Sequence, residues 1–331
     1  MGRKSSPEKV CSQYIDAAIA RLRQLTQRDR QANWRISFED AQTSTQCDFR
    51  QWITWPTATL NDRQHIAWPA GRQVLWLGQV IEMPEALADY PLAGFTARLA
   101  MTWWAEQADV YVNGVLVQQG DLFDTSARVV LTEALVPGES VAIAIRLVSP
   151  AHDAGALVRS HLVFEPPTGD LIDPGMVADE LAVLQTYVSA FRPADLGILT
   201  TGVEEIAWET SGEAVSFNQS LQHLRHHLTP LGQWLKERRI NWIGHAHLDL
   251  AWLWPVAETW EAAERTFVSA LQLQKDFDEL NFCHSTPALY DWIEHHRPAL
   301  FTQIQQRVAE GRWEVAAGLW VEPELDRKSV V

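Results

Sequence analysis

Cysteine is scarce in this chain. Cys11, Cys47 and Cys283 are odd in number, far apart and without a CxxC pair. That spacing excludes a disulfide scaffold and favours a reducing compartment, the cytoplasm. Long apolar runs are also missing. No stretch approaches the roughly 20 residues that a membrane helix needs. The start, Met1-Gly2-Arg3-Lys4-Ser5-Ser6-Pro7, leads into a mixed polar segment and not into an apolar signal core. Positive charge is in deficit: 27 Lys and Arg stand against 42 Asp and Glu, a formal net charge of −15. Such a surface repels phosphate backbones, so nucleic acid is not expected as a partner. A homo-oligomer is compatible with everything in the composition.

What is present is a globular balance, with 47% hydrophobic and 21% charged residues. A length of 331 residues leaves room for more than one domain. Sixteen Trp residues are many. Aromatic faces stack on sugar rings, but most Trp side chains are simply large core fillers.

The periodicity changes along the chain. Residues 7–28 read as a helix, because Val10, Tyr14, Ala17, Ala18 and Leu22 recur at three- and four-residue steps. Residues 1–33 form an N-terminal helical segment on this reading. Short β-branched and aromatic runs follow at 74–77, 95–101, 108–112, 129–131, 141–147 and 157–164. Asn113-Gly114 between two such runs is a hairpin signal, since both residues tolerate positive φ. Residues 34–165 therefore read as a β-sandwich with a core of its own. Pro166-Pro167 breaks the pattern. Helices are expected at 173–190 and 216–237, making 166–238 a helical linker. His223, His226 and His227 lie in the second of these and read as surface or interface residues. From Ile240 onward strands alternate with helices: strands at 240–243, 281–284 and 313–321, a helix at 258–276 and a helix or helix pair at 288–310. That order implies parallel strands, whose carboxyl ends collect ligands.

One such end carries Gly244-His245-Ala246-His247-Leu248-Asp249-Leu250-Ala251-Trp252-Leu253-Trp254. If the strand geometry persists, His245, His247 and Asp249 share one side. Imidazole nitrogen and carboxylate oxygen suit zinc or another divalent transition metal. An isolated His-x-Asp more often caps a strand, and only the wider context favours a metal. At the third strand, Glu322 and Glu324 alternate with Val321 and Pro323, a carboxylate pair of the kind glycosidases use.

The run from Gly244 to Pro255 resembles the opening motif of the catalytic domain of glycoside hydrolase family 38 α-mannosidases. Gly311-Arg312-Trp313-Glu314 and Gly318-Leu319-Trp320-Val321-Glu322-Pro323 resemble that family's second block. The Tyr111-Val112-Asn113-Gly114 hairpin and Asp121-Leu122-Phe123-Asp124 resemble the jelly-roll-like domain that precedes it in the long, cytosolic type. The resemblance implies a multidomain β plus α/β protein: a jelly-roll-like sandwich, a helical linker and, over 239–331, the start of a parallel α/β barrel. It implies retaining hydrolysis of terminal α-mannosides, or of oligosaccharides bearing them. His247 and Asp249 become zinc ligands, and Glu324 becomes nucleophile and third ligand. The family carries an Asp where this chain has Glu324, one methylene longer. Trp252 and Trp320 are assigned to substrate binding. Sugar binding on the sandwich would fall to Trp103 or Trp104, against a purely structural role for both. Beyond Glu324 the family pattern is lost, with Asp326 out of register. The expectation is of a fragment, inactive alone, as truncation or a frameshift would give. The rival readings are a non-catalytic product or carbohydrate-binding module, and a different metal hydrolase such as a deacetylase.

Overall fold

The computed structural model describes residues 7–40, 48–122, 124–167, 171–251, 255–316 and 319–321. The chain divides into two compact units, Met1–Glu237 and Arg238–Val331.

The strands of the first unit are β1 (Gln27–Asp29), β2 (Arg35–Ser37), β3 (Ile66–Trp68), β4 (Val74–Glu82), β5 (Ala86–Leu87), β6 (Tyr90–Pro91), β7 (Thr96–Trp104), β8 (Gln107–Val112), β9 (Val115–Gly120), β10 (Ser126–Thr132), β11 (Ser140–Val148) and β12 (Gly155–Glu165). One antiparallel sheet runs β1-β12-β7-β10, with β3 also on β12; the other runs β2-β4-β11-β8-β9. Alternation decides which side chains go inward. On β7, Ala97, Leu99, Met101 and Trp103 are buried. Facing them in the same core are Leu75, Leu77, Ile143 and Ile145 of the other sheet. The β8–β9 hairpin forms as its Asn-Gly turn demands, with Asn113 at φ +49° and Gly114 at +81°. Asn113 Oδ1 also accepts from the Ala142 amide at 2.9 Å.

The second sheet is covered on its outer face as well. Trp76, Tyr111 and Ala144 pack there with Trp52, from the short helix Phe49–Trp52. Gly78 makes this possible: a Cβ at that position would lie 2.5 Å from the Trp52 ring.

The helices are part of the same core. Ile15 and Leu22 of the helix Pro7–Thr26, Val177 and Leu181 of Pro174–Phe191, and Phe217 and Leu221 of Ala214–His227 join the sandwich residues in one cluster. Segments 1–33, 34–165 and 166–238 thus share one interior. Their apolar stripes have to be covered, and they cover one another. Asp173 caps its helix, Oδ1 accepting from the Gly175 amide at 2.7 Å. The helix expected over 216–237 is two, Ala214–His227 and Thr229–Lys236, with Pro230 in the first turn of the second. The helix Leu196–Glu204 was not foreseen.

The second unit holds β13 (Gly244–His245), β14 (Phe282–His284) and β15 (Trp313–Val315). They pair in parallel in that order. The helices Val256–Asp276, Pro287–His296 and Pro298–Ala309 connect them. Phe267, Phe282, Leu289, Ile293 and Trp313 build the core. Gly311, at φ +73°, ends the last helix as a left-handed stop.

Two expectations are corrected here. Residues 240–243 are not a buried strand: Trp242 is 86% exposed, and only Gly244 and His245 find partners on β14. The third strand stops at Val315, short of Val321. By Trp320 the chain has turned to the helix Pro287–His296, where its carbonyl accepts from the Ala288 amide at 3.1 Å.

Candidate metal centre

The carboxyl end of β13 carries His245 and leads into His247 and Asp249. β13 ends at His245, whose ring is drawn sideways along the sheet. Its Nδ1 donates to the Cys283 carbonyl at 2.9 Å, and the ring stacks on His284 at 5.8 Å. The carbonyl can only accept, so Nδ1 carries the proton and Nε2 is the acceptor of the neutral ring. His284 is fully buried beside Phe267, Phe282 and Tyr290. Tyr290 accepts from Trp313 Nε1 at 2.9 Å and donates to the His284 carbonyl at 3.3 Å. Burial pushes its phenol well above the usual range.

Past His245 the alternation continues without a ladder. Leu248 is buried in the core, so His247 and Asp249 face away from it. They meet: His247 Nε2 lies 2.9 Å from Asp249 Oδ1. Both side chains remain accessible to a ligand, the imidazole more than the carboxylate. Ala251 then takes the left-handed region, with φ +60°. That conformation costs a non-glycine residue roughly 1–2 kcal/mol. It persists because the Ala251 amide donates to Thr259 Oγ1 at 3.1 Å.

The donors fit zinc in kind, one neutral nitrogen and one anionic oxygen. Two atoms each about 2.0–2.2 Å from one tetrahedral ion lie roughly 3.4 Å apart. The pair stands near that spacing, and a small opening lets both face one ion. Among the described residues, no group of three His, Cys, Asp or Glu converges as a metal cluster. The three-donor set expected from strand alternation is therefore reduced to two, because β13 ends and His245 turns to Cys283.

Glu324, Glu322, Asp326, Trp252 and Phe123 lie outside the described residues. Trp320 is 60% exposed. Trp103 is 1% exposed, inside the sandwich core, where no sugar can stack on it. Trp104 is at the surface. The histidines of the helix Ala214–His227 behave as expected, with His223 and His227 beside Glu205 at 3.5 and 3.9 Å. Thr259 was not foreseen. Its signal was a hydroxyl on the stripe formed by Ala263, Phe267 and Ala270.

Residues 237–330 match the family described as Glycosyl hydrolases family 38 N-terminal domain. This part of the chain is similar to that family. The human Alpha-mannosidase 2C1 is 36% identical over 86 residues, 26% of this chain and 8% of that protein. Alpha-mannosidase G of Dictyostelium discoideum is 30% identical over the same length and shares. Alpha-mannosidase of Saccharomyces cerevisiae is 32% identical over 85 residues, 25% of this chain and 8% of the yeast protein. The chain thus spans 8% of the length of the curated relatives it matches. Among solved structures, a beta-glucuronidase from glycoside hydrolase family 2 superposes with a TM-score of 0.33 at 19% identity, covering 44% of this chain and 18% of that one. The His247–Asp249 pair lies within the residues that match the family 38 model. Among the described residues no helix is long and apolar enough to cross a membrane.

Proposed function

We propose that this chain contributes to a retaining α-mannosidase acting on terminal α-mannosides, with zinc or a similar divalent metal held by His247 and Asp249. The observation that carries the reading is the 2.9 Å pairing of these two side chains at the carboxyl end of β13, inside the segment that matches family 38. A metal ion there would hold vicinal sugar hydroxyls and stabilise charge at the reacting centre. In this pairing Nε2 donates to the Asp249 carboxylate, so metal binding through Nε2 requires its proton to be given up, and Asp249 supplies the compensating negative charge. Glu324 is proposed as the nucleophile, its carboxylate attacking the anomeric carbon as the glycosidic bond breaks. It is also proposed as a third ligand. Trp252 and Trp320 are proposed to stack on the sugar. The jelly-roll topology of the sandwich, the barrel to which β13–β15 would belong, and the cytoplasmic setting are parts of the same reading. Cys11 and Cys283 are free thiols, which agrees with a reducing compartment.

The test is hydrolysis of an aryl α-mannoside with zinc added, by this chain alone and by a form extended to the length of its relatives. General acid–base assistance typically contributes 10²–10⁴-fold, and no third donor joins the pair among the described residues. Negligible turnover is expected from the 331-residue chain. The extended form should turn over and lose most activity in Glu324→Gln. Brisk hydrolysis by the chain alone would show the catalytic residues misplaced. An extended form without activity would reject the mannosidase reading.

A further inference from the structure

We propose that Thr259 is a positioning residue for the metal site, holding the turn that presents Asp249. The inference rests on the reading of His247 and Asp249 as metal ligands. Thr259 is 0% exposed and sits where an apolar residue would be expected, one turn before Ala263 and two before Phe267 on the buried stripe of the helix Val256–Asp276. A hydroxyl in that place has to be hydrogen-bonded. Its partners are the backbone of Asp249 itself and of Ala251, two residues on. Oγ1 accepts from the Ala251 amide at 3.1 Å and lies 3.5 Å from the Asp249 carbonyl, within reach of a long bond. One hydroxyl therefore brackets Leu250 and ties down the backbone on both sides of it.

The geometry explains why a left-handed alanine is kept there. Ala251, two residues beyond Asp249, sits in the left-handed region at φ +60°. A conformation of that kind relaxes unless something over-determines it. Leu248, buried in the core, anchors the segment on the other side of Asp249. With Leu248 fixed by packing and Ala251 fixed by Thr259, the Asp249 carboxylate has little freedom except at its own side-chain torsions. It is held opposite His247 before any ion arrives. Groups that orient metal ligands typically change metal affinity by 10–100-fold when removed.

The experiment compares Thr259→Val, which keeps shape without the hydroxyl, and Thr259→Ser, which keeps the hydroxyl, with the parent 331-residue chain. Zinc affinity is read by equilibrium dialysis and Ala251 amide protection by hydrogen exchange. Thr259→Val is expected to bind zinc at least tenfold more weakly and to lose protection at Ala251. Thr259→Ser should stay within about threefold of the parent, since it keeps the donor and acceptor. If Thr259→Val does not melt cooperatively, Thr259→Ala takes its place with the same expectations. Equal zinc affinity in the parent and the hydroxyl-free variant overturns the positioning role alone. No zinc uptake by the parent overturns the metal reading and this role with it.

Discussion

The first unit closes its interior on itself, whereas the second leaves part of its sheet in water. In Met1–Glu237 the inner strands β4, β11 and β8 are covered by the facing sheet on one side and in part by Trp52 on the other, and the edge strand β9 leaves Val115, Leu116 and Val117 exposed. In Arg238–Val331 three parallel strands of two or three residues carry exposed apolar neighbours, among them Ile243, Val315, Leu319 and Val321. Parallel strands are ordinarily buried on both faces. The larger shared interior therefore lies in the first unit, and the His247–Asp249 pair lies in the second. The His247–Asp249 pair of the second unit stands just past a strand end, where no ladder uses it up. Its accessibility is the price of that placement.

The largest expected effect comes from cutting the first unit where the sequence placed domain borders. A chain of residues 1–237 should melt cooperatively. Residues 34–165 alone should not, contrary to the expectation of an independent sandwich core. They lose Ile15, Leu22, Val177, Leu181 and Phe217 from the shared cluster. Each buried side chain of this size contributes about 1.5–3 kcal/mol, and five together rival the ~5–15 kcal/mol net stability of a domain. Thermal melts followed by far-UV circular dichroism decide this, and a sharp melt of 34–165 would break the comparison.

Next in size is Trp34→Ala. Trp34 is fully buried and its Nε1 donates to Ser160 Oγ at 2.8 Å, while Ser160 donates to Gln31 Oε1 at 2.9 Å. Removing the ring should cost roughly 3–5 kcal/mol in urea unfolding of the first unit. Zinc uptake by the second unit should remain where the parent has it. A matching loss of uptake would mean that the two units are not energetically separate.

A smaller effect is expected at Asp40, whose carboxylate is gripped by Arg146 through two hydrogen bonds of 2.9 and 2.8 Å and accepts from Trp76 Nε1 at 3.1 Å. The Arg146 guanidinium holds the carboxyl below the usual range. A lowered folded value means stability that is present above the ordinary Asp value of about 3.9 and lost as pH falls through the folded one. Asp40 is largely exposed, so screening keeps the contribution under about 1 kcal/mol. Asp40→Asn should be slightly less stable than the parent at neutral pH, and the gap should close in acid. A gap that widened in acid would contradict the assigned sign.

The two units also differ in how legibly the sequence described them. The long strands of the first were visible because their buried faces force alternation, as on β7 and β12. The Asn113-Gly114 turn and the Asp173 cap announced themselves through residues that few other geometries use. The short strands β1 and β2 gave no signal, since Gln27–Asp29 and Arg35–Ser37 are mostly polar and owe their conformation to their neighbours in the sheets. In the second unit the apolar run 240–243 gave a false strand, because an apolar run does not say whether a ladder partner exists. The pairing of His247 with Asp249 was legible in His247-Leu248-Asp249, and alternation about Leu248 brings the two together. The place of His245 was not, because its hydrogen bond to Cys283 depends on a strand nearly forty residues away. Thr259 was hidden for the same reason, its partners lying eight and ten positions earlier in the chain.

The central claim is that His247 and Asp249 are the metal-binding pair of the second unit. Equilibrium dialysis of zinc against the 331-residue chain, His247→Ala and Asp249→Ala tests it most directly. The account predicts saturable uptake of modest affinity by the parent and a clear weakening in each variant. Equal uptake by all three would contradict it.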